Sequence, residues 1–275
     1  MYNVLVKVHF RKSKSETPMR IVIKVGTSTL AHKTGHPNIR HMEELCKVIS
    51  DVKNAGNQVI LVSSGAIIMG MGKLHLNERP KTLPEKQAAA SVGQCELMYT
   101  YDKLFSEYNH TVAQILLAGS DVRDEARCQN FINTTERLLE LDALPIINEN
   151  DTISTDEIKI GDNDTLAAIV ATHLHAELLI LLSDIDGLYT ANPHLDPTAT
   201  IISEARELTP EILACAGGSG TSLGTGGMQT KLIAARMMMD SGADMIIANG
   251  QNAKILYSIL DGEKVGTRFI GTKIG

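Results

Sequence analysis

Between Ile147 and Thr165 the chain reads INENDTISTDEIKIGDNDT, which gathers Glu149, Asp151, Asp156, Glu157, Asp162 and Asp164, with the amides Asn148, Asn150 and Asn163, around one lysine, Lys159. It continues an apolar run, ALPII. Carboxylates and amides at this density can bind a metal, hold a cationic ligand, or form a solvated loop. A second acidic stretch, LLSDIDGLYTANP, places Asp184 and Asp186 just after another apolar run. Neither it nor GDNDT keeps the Dx(D/N)x(D/N)G order of an EF-hand, so that calcium loop is excluded.

The positive charges that could do chemistry are fewer. Lys24 interrupts the apolar run RIVIKV one residue before a glycine turn. It reads either as an edge-strand lysine whose stem is covered and whose head is wet, or as a cation aimed at a ligand. Lys231 falls in the first turn of a helix opened by the glycines of GTGGMQTKL. Free backbone N–H groups and the helix dipole favour an anion there, and Lys231 adds a full charge. Two lysines converging on a transferring phosphoryl group would neutralise its oxygens, the main demand of that chemistry. The turns GTSTL (26–30) and SSGA (63–66) read equally as anion cradles or as plain turn geometry. A Walker loop is excluded because GxxxxGK(S/T) is absent, and GGSGTSLGTGG lacks the spacing of a dinucleotide fingerprint. Met237 to Met239 read as core filler.

These residues need a frame. The runs 20–25, 58–62, 112–117, 144–147, 178–182 and 244–248 are short and continuously apolar, as strands covered on both faces are. Ile39, Met42, Leu45, Ile49 and Val52 recur at helical spacing and end at Gly56. Helices also fit 84–109, 123–142, 164–176 and 227–241. Strands alternating with helices predict one α/β domain with a mainly parallel sheet. In such sheets ligands bind beyond the carboxyl ends of the strands, and KVGTST, SSGA, NEND and SDIDG all lie there.

Composition bounds the function. The 275 residues suffice for a sizeable core, and 43% hydrophobic with 21% charged residues is ordinary for a cytosolic globular protein. The net charge of −6 gives nucleic acid or an anionic membrane no help, so both are excluded as expected partners. No apolar run approaches the ~20 residues that span a bilayer. The four cysteines show no CxxC spacing and read as reduced, buried thiols. Residues 1–19, MYNVLVKVHFRKSKSETPM, have charge and apolar segments in the wrong order for a signal peptide and read as an extension outside the fold.

Taken together and in order, IVIKVGTSTL, VILVSSGAIIMG, PIINENDT, KIGDNDTLAA, LLSDIDGLYTANP and GTGGMQTKL resemble the glutamate 5-kinase family of the amino-acid kinase superfamily over residues 20 to about 270. Aspartokinases carry a KFGGTS-type first strand where this chain has KVGTST, and carbamate and acetylglutamate kinases match INEND and GDND poorly. The resemblance implies a three-layer α/β/α sandwich around a mainly parallel eight-stranded sheet, with an N-terminal lobe for the amino acid and a C-terminal lobe for the nucleotide in one domain, 20–275. It implies transfer of phosphate from ATP to the γ-carboxylate of L-glutamate, the first step of proline synthesis, with Mg²⁺ held mainly through the nucleotide and no protein metal site.

Residue by residue, the resemblance carries over Ser64, Asn148, Asp151, Asn163 and Asp164 as substrate contacts, with Asn148 and Asn163 donating to the carboxylates. Lys24 and Lys231 become transition-state stabilisers, and Lys24 also meets the nucleotide. Asp162 orients either those lysines or the ammonium. Ser183, Asp184 and the loop of Thr225, Gly226, Gly227, Met228, Gln229, Thr230 and Lys231 contact the nucleotide. It further implies a cytoplasmic homo-oligomer, dimer or tetramer, with proline as a feedback inhibitor and glutamyl phosphate reductase as a partner. The RNA-modification-type domain of many bacterial members is expected to be absent, since the chain stops at Gly275. Ala118 stands where the family often has Thr, and no role is assigned to it. Two rival readings remain: a kinase for a different small acceptor, and a nucleotide-binding sensor or storage protein without turnover.

Overall fold

The computed structural model describes residues 18–32, 34–153, 162–193, 195–215 and 227–272. Most of the expected extension therefore lies outside the described residues, as do Asp156, Glu157, Lys159, Thr225 and Gly226.

Strands β1 (Arg20–Val25), β2 (Gln58–Ser63), β3 (Val112–Leu117), β4 (Leu144–Glu149), β5 (Leu178–Ser183), β6 (Glu204–Ala205), β7 (Asp244–Asn249) and β8 (Thr267–Phe269) form one eight-stranded sheet in the order β3-β4-β2-β1-β5-β7-β8-β6. The pairings from β3 across to β7 are parallel; β8 runs antiparallel to β7 and parallel to β6. The expected three-layer architecture is present. Strand β1 is interior, flanked by β2 and β5, so Lys24 is not an edge residue.

Helices cover both faces. On one, α2 (Ile39–Asn54), α3 (Ala66–Lys73), α4 (Leu83–Ser106) and α10 (Ile255–Leu260) bury Met42, Leu45, Met69, Leu97, Tyr101 and Leu256 against Ile21, Ile23 and Val25 of β1. On the other, α6 (Glu125–Glu140), α7 (Asn163–His173) and α9 (Met228–Asp240) pack Phe131, Leu166, Val170, Leu232 and Met238 against Val22, Ile60, Leu179 and Ile247. Side chains alternate along a strand, so Lys24 shares the face of Val22, the face of α7 and α9.

Caps fix where the helices begin. Asn38 caps α2, Asp124 caps α6, and Thr82 forms a capping box with Glu85 at α4. Short helices α1 (Thr27–Leu30), α5 (Gly119–Arg123) and α8 (Pro210–Ala214) complete the set among the described residues.

The connections leave the sheet towards different faces. Strands β1 and β2 run into helices of the first face, and β4 runs into α7 of the second; β5 is followed by β6 and α8 before α9 of the second face. Because β1 lies beside β5 and β2 beside β4, two crevices open at the carboxyl ends of these strand pairs, the geometry that binds ligands in open α/β sheets.

Two expectations are corrected: β3 is an edge strand on which only Leu117 is buried, so the run 112–117 is not covered on both faces, and the cysteines are not all buried. Cys46 and Cys128 are buried free thiols, but Cys95 is exposed and Cys215 half-buried. On α4 the buried stripe runs through Ala90, Gln94, Leu97 and Tyr101, and Cys95 stands a third of a turn off it. Met238 and Met239 are core residues as expected.

Candidate active site

The first turn of α7 joins the two crevices. Asp162 is its N-cap: Oδ1 accepts from the backbone N–H of Asp164 (2.8 Å) and Thr165 (2.9 Å), and Oδ2 from the Thr165 hydroxyl (2.8 Å). These bonds account for Asp162 at the helix start, where an aspartate is favoured. It meets neither lysine among the ion pairs of the described residues, both of which pair with Asp164.

Asp164 faces β1 and α9. Its Oδ1 lies 2.6 Å from Lys24 Nζ and its Oδ2 2.9 Å from Lys231 Nζ. The three residues are 1%, 8% and 5% exposed. The Thr230 hydroxyl adds a contact at 3.1 Å to Oδ2. Burial alone would raise the Asp164 pKa, but the Lys24 and Lys231 ammoniums outweigh it and hold the carboxyl at about 2. Two ammoniums and one carboxylate leave a net single positive charge in a nearly dry place. That is a site for an anion richer in charge than one carboxylate.

Asn163 faces the other way, towards β2 and β4. Its Nδ2 lies within donating distance of the Ser63 carbonyl (3.1 Å), Ser64 Oγ (2.8 Å) and Asn148 Oδ1 (2.9 Å), three acceptors that share its two hydrogens. Asn148 Oδ1 also accepts from the Glu149 backbone N–H (2.9 Å), and Asn148 Nδ2 donates to Gln94 Oε1 (2.9 Å). The expected donation from Asn163 to a substrate carboxylate thus competes with three protein acceptors. Ser64 Oγ, by accepting from Asn163, keeps its own hydrogen to donate. Asp151 stands half-buried in the turn after β4.

At the second crevice, Ser183 ends β5 and donates to Asp184 Oδ1 (3.2 Å), which is exposed. The Gly26 N–H donates to the Leu182 carbonyl and the Gly250 N–H to the Ser183 carbonyl (3.3 and 2.7 Å), tying the loops after β1 and β7 to the end of β5. Gly227 caps α9, and Met228, Gln229, Thr230 and Lys231 form its first turn. Thr225 and Gly226 lie outside the described residues. Among the described residues no group of three or more His, Cys, Asp or Glu could hold a metal, and no helix is long and apolar enough to cross a membrane.

Gln94 was not among the expected site residues. A polar side chain on the buried stripe of α4, between Ala90 and Leu97, was its only signal in the sequence.

A sequence profile of the Amino acid kinase family matches residues 19–249. The chain is 52% identical over 258 residues to a glutamate 5-kinase of Clostridium perfringens, covering 92% of this chain and 96% of that protein. It is 49% identical over 263 residues to one of Clostridium tetani (96% and 98%). Among solved structures, carbamate kinase from Giardia lamblia bound to AMP-PNP superposes with a TM-score of 0.65 at 18% identity, over 93% of this chain and 99% of that one. An isopentenyl phosphate kinase product complex from T. acidophilum gives 0.63 at 17% (92% and 100%). At these identities the structural likeness concerns the fold alone. The chain belongs to the amino acid kinase family and, within it, to the glutamate 5-kinases.

Proposed function

We propose that this chain transfers the γ-phosphoryl group of ATP to the γ-carboxylate of L-glutamate, giving L-glutamyl 5-phosphate and ADP, the first step of proline biosynthesis. The observation that carries the reading is the junction at α7, where a buried Lys24–Asp164–Lys231 triad with one net positive charge adjoins a pocket of amides and hydroxyls. The membership in the glutamate 5-kinases supports the same substrate pair.

The crevice between β2 and β4 takes the amino acid. The Ser64 hydroxyl donates to a carboxylate, and Asp151 with the Asn163 carbonyl accepts from the α-ammonium. The crevice between β1 and β5 takes the nucleotide, with Ser183, Asp184 and the first turn of α9 beside it. The attacking γ-carboxylate is already ionised at neutral pH, so the chain needs no general base. An oxygen of that carboxylate forms the new bond to the γ-phosphorus as the bond to the ADP oxygen breaks. Lys24 and Lys231, preorganised by Asp164, stabilise the charge on the phosphoryl oxygens as it passes. Mg²⁺, if held through the phosphates of ATP as the resemblance implies, would supply further charge neutralisation. Proline competes in the amino-acid crevice; a rate insensitive to millimolar proline refutes that point alone.

The test is hydroxylamine trapping with Mg-ATP, comparing L-glutamate, L-aspartate, N-acetylglutamate and buffer. Hydroxamate formed only with L-glutamate is the expected result. None with any acceptor, in a preparation that binds ATP, overturns the reading in favour of a non-catalytic nucleotide binder.

A further inference from the structure

We infer that Gln94 is a positioning residue for the glutamate pocket: by accepting from the Asn148 NH₂ it holds in place the Oδ1 that the Asn163 NH₂ meets, so that the Asn163 carbonyl oxygen is kept for the substrate ammonium. This deepens the proposed function and rests on it.

The polarity of the chain Gln94–Asn148–Asn163 is fixed at two points by backbone groups that have no choice of role. The Glu149 N–H can only donate, so the Asn148 atom it meets at 2.9 Å is Oδ1. The Ser63 carbonyl can only accept, so the Asn163 atom 3.1 Å away is Nδ2. The bond between the amides, Asn163 Nδ2 to Asn148 Oδ1, agrees with both assignments. Asn148 Nδ2 then faces Gln94 Oε1, the acceptor at the far end of the chain. Asn148 and Gln94 are both buried, so without that acceptor the Asn148 NH₂ loses a buried partner. Turning the Asn148 side chain to find another breaks its bond to Asn163.

A second strut comes from the same helix face. Tyr101, fully buried seven residues after Gln94, has its hydroxyl 2.9 Å from Ser63 Oγ, which itself donates to the Ser64 carbonyl. Helix α4 thereby backs both strands of the amino-acid crevice.

The experiment compares wild type, Gln94→Met and Gln94→Glu by hydroxamate kinetics, with glutarate, which lacks the ammonium, as a competing ligand. Gln94→Met keeps the length and removes the acceptor; Gln94→Glu keeps an acceptor oxygen. The KM for L-glutamate is expected to rise about tenfold in Gln94→Met, the scale of one lost hydrogen bond. The KM for ATP stays put, kcat changes little, and the preference for glutamate over glutarate shrinks. Gln94→Glu restores the preference. An unchanged glutamate KM, a fall in kcat at constant KM, or an equal weakening of glutamate and glutarate overturns the inference. Should Gln94→Met fail to fold, Gln94→Asn, whose amide falls short of Asn148, is expected to give the same loss of preference, and an unchanged preference overturns it. Asn163→Ala separates the two levels. If it raises the glutamate KM while the Gln94 variants do not, only this inference fails; if wild type forms no hydroxamate, the functional reading fails first.

Discussion

Asn163 and Asp164 are neighbours on one helical turn, yet they serve opposite kinds of site. Asn163 belongs to a neutral network with Ser64, Asn148 and Gln94, in which each bond has a direction fixed by donor and acceptor. Asp164 belongs to a charged triad in which one carboxylate restrains two ammoniums. The neutral half suits recognition, because an ill-matched ligand leaves a buried donor or acceptor unpaired. The charged half suits phosphoryl transfer, because its excess positive charge would meet the phosphoryl oxygens in the proposed reaction as the bond to ADP breaks. If the division is real, variants on the two sides of α7 separate KM from kcat.

The largest effect is expected from Asp164→Asn. It keeps the shape but leaves two buried ammoniums without their shared counter-charge, and breaking such a buried pair costs about 3–5 kcal/mol. Urea unfolding of the variant measures this. A midpoint equal to wild type would show that the triad is solvated or rearranged and would break the comparison at its charged end. Next come Lys24→Ala and Lys231→Ala, each expected to lower kcat by about 10²–10³, the scale for one preorganised stabilising group, with the glutamate KM little changed. Near-normal turnover in a folded Lys231→Ala variant would remove it from the chemistry.

What the sequence makes legible divides along the same line. Strands β1, β2, β5 and β7 are readable because burial on both faces leaves a continuous apolar run. Strand β4 reads two residues short, because Asn148 and Glu149 are polar yet buried at the pocket. Strands β6 and β8 are two and three residues long and carry no periodic signal. Helix α3 hides behind Gly70 and Gly72, which lower helix propensity. Gly70 is needed there, since a Cβ on it would stand 1.8 Å from the Ala89 carbonyl of α4. In the site, Lys24 and Lys231 are readable by charge and place. The division of labour among Asp162, Asn163 and Asp164 is not, because it depends on which residue caps α7 and which way each next side chain faces. The helical pattern at 164–176 is preceded directly by Asn163, one residue inside the true cap, Asp162; the partners of the other two arise only when β1, β2, β4 and α9 come together.

Acid sharpens the charged half by a smaller amount. The Asp164 carboxyl sits at about 2 against an ordinary value of 3.8. Its folded pKa is depressed, so its contribution to stability is complete above the ordinary value and is lost as pH falls from about 4 through about 2. That contribution is about 2 kcal/mol. Unfolding midpoints of wild type and Asp164→Asn across this window should converge as the pH drops, because other carboxylates titrate alike in both. Parallel profiles would mean that Asp164 does not titrate with the triad intact.

The smallest effect tests the neutral half. Asn163→Ala removes a side chain whose NH₂ serves Ser63, Ser64 and Asn148, but it adds no charge and leaves the Asp162 cap on α7 in place. The glutamate KM is expected to rise about tenfold, the scale of one hydrogen bond, while kcat at saturation and the KM for ATP hold. The loss should be greater for L-glutamate than for glutarate, since the group deleted includes the carbonyl proposed to accept from the ammonium. A fall in kcat comparable to that of Lys24→Ala would mean that Asn163 and Asp164 act as one unit across the first turn of α7, and the division between recognition and transfer would then lie elsewhere in the site.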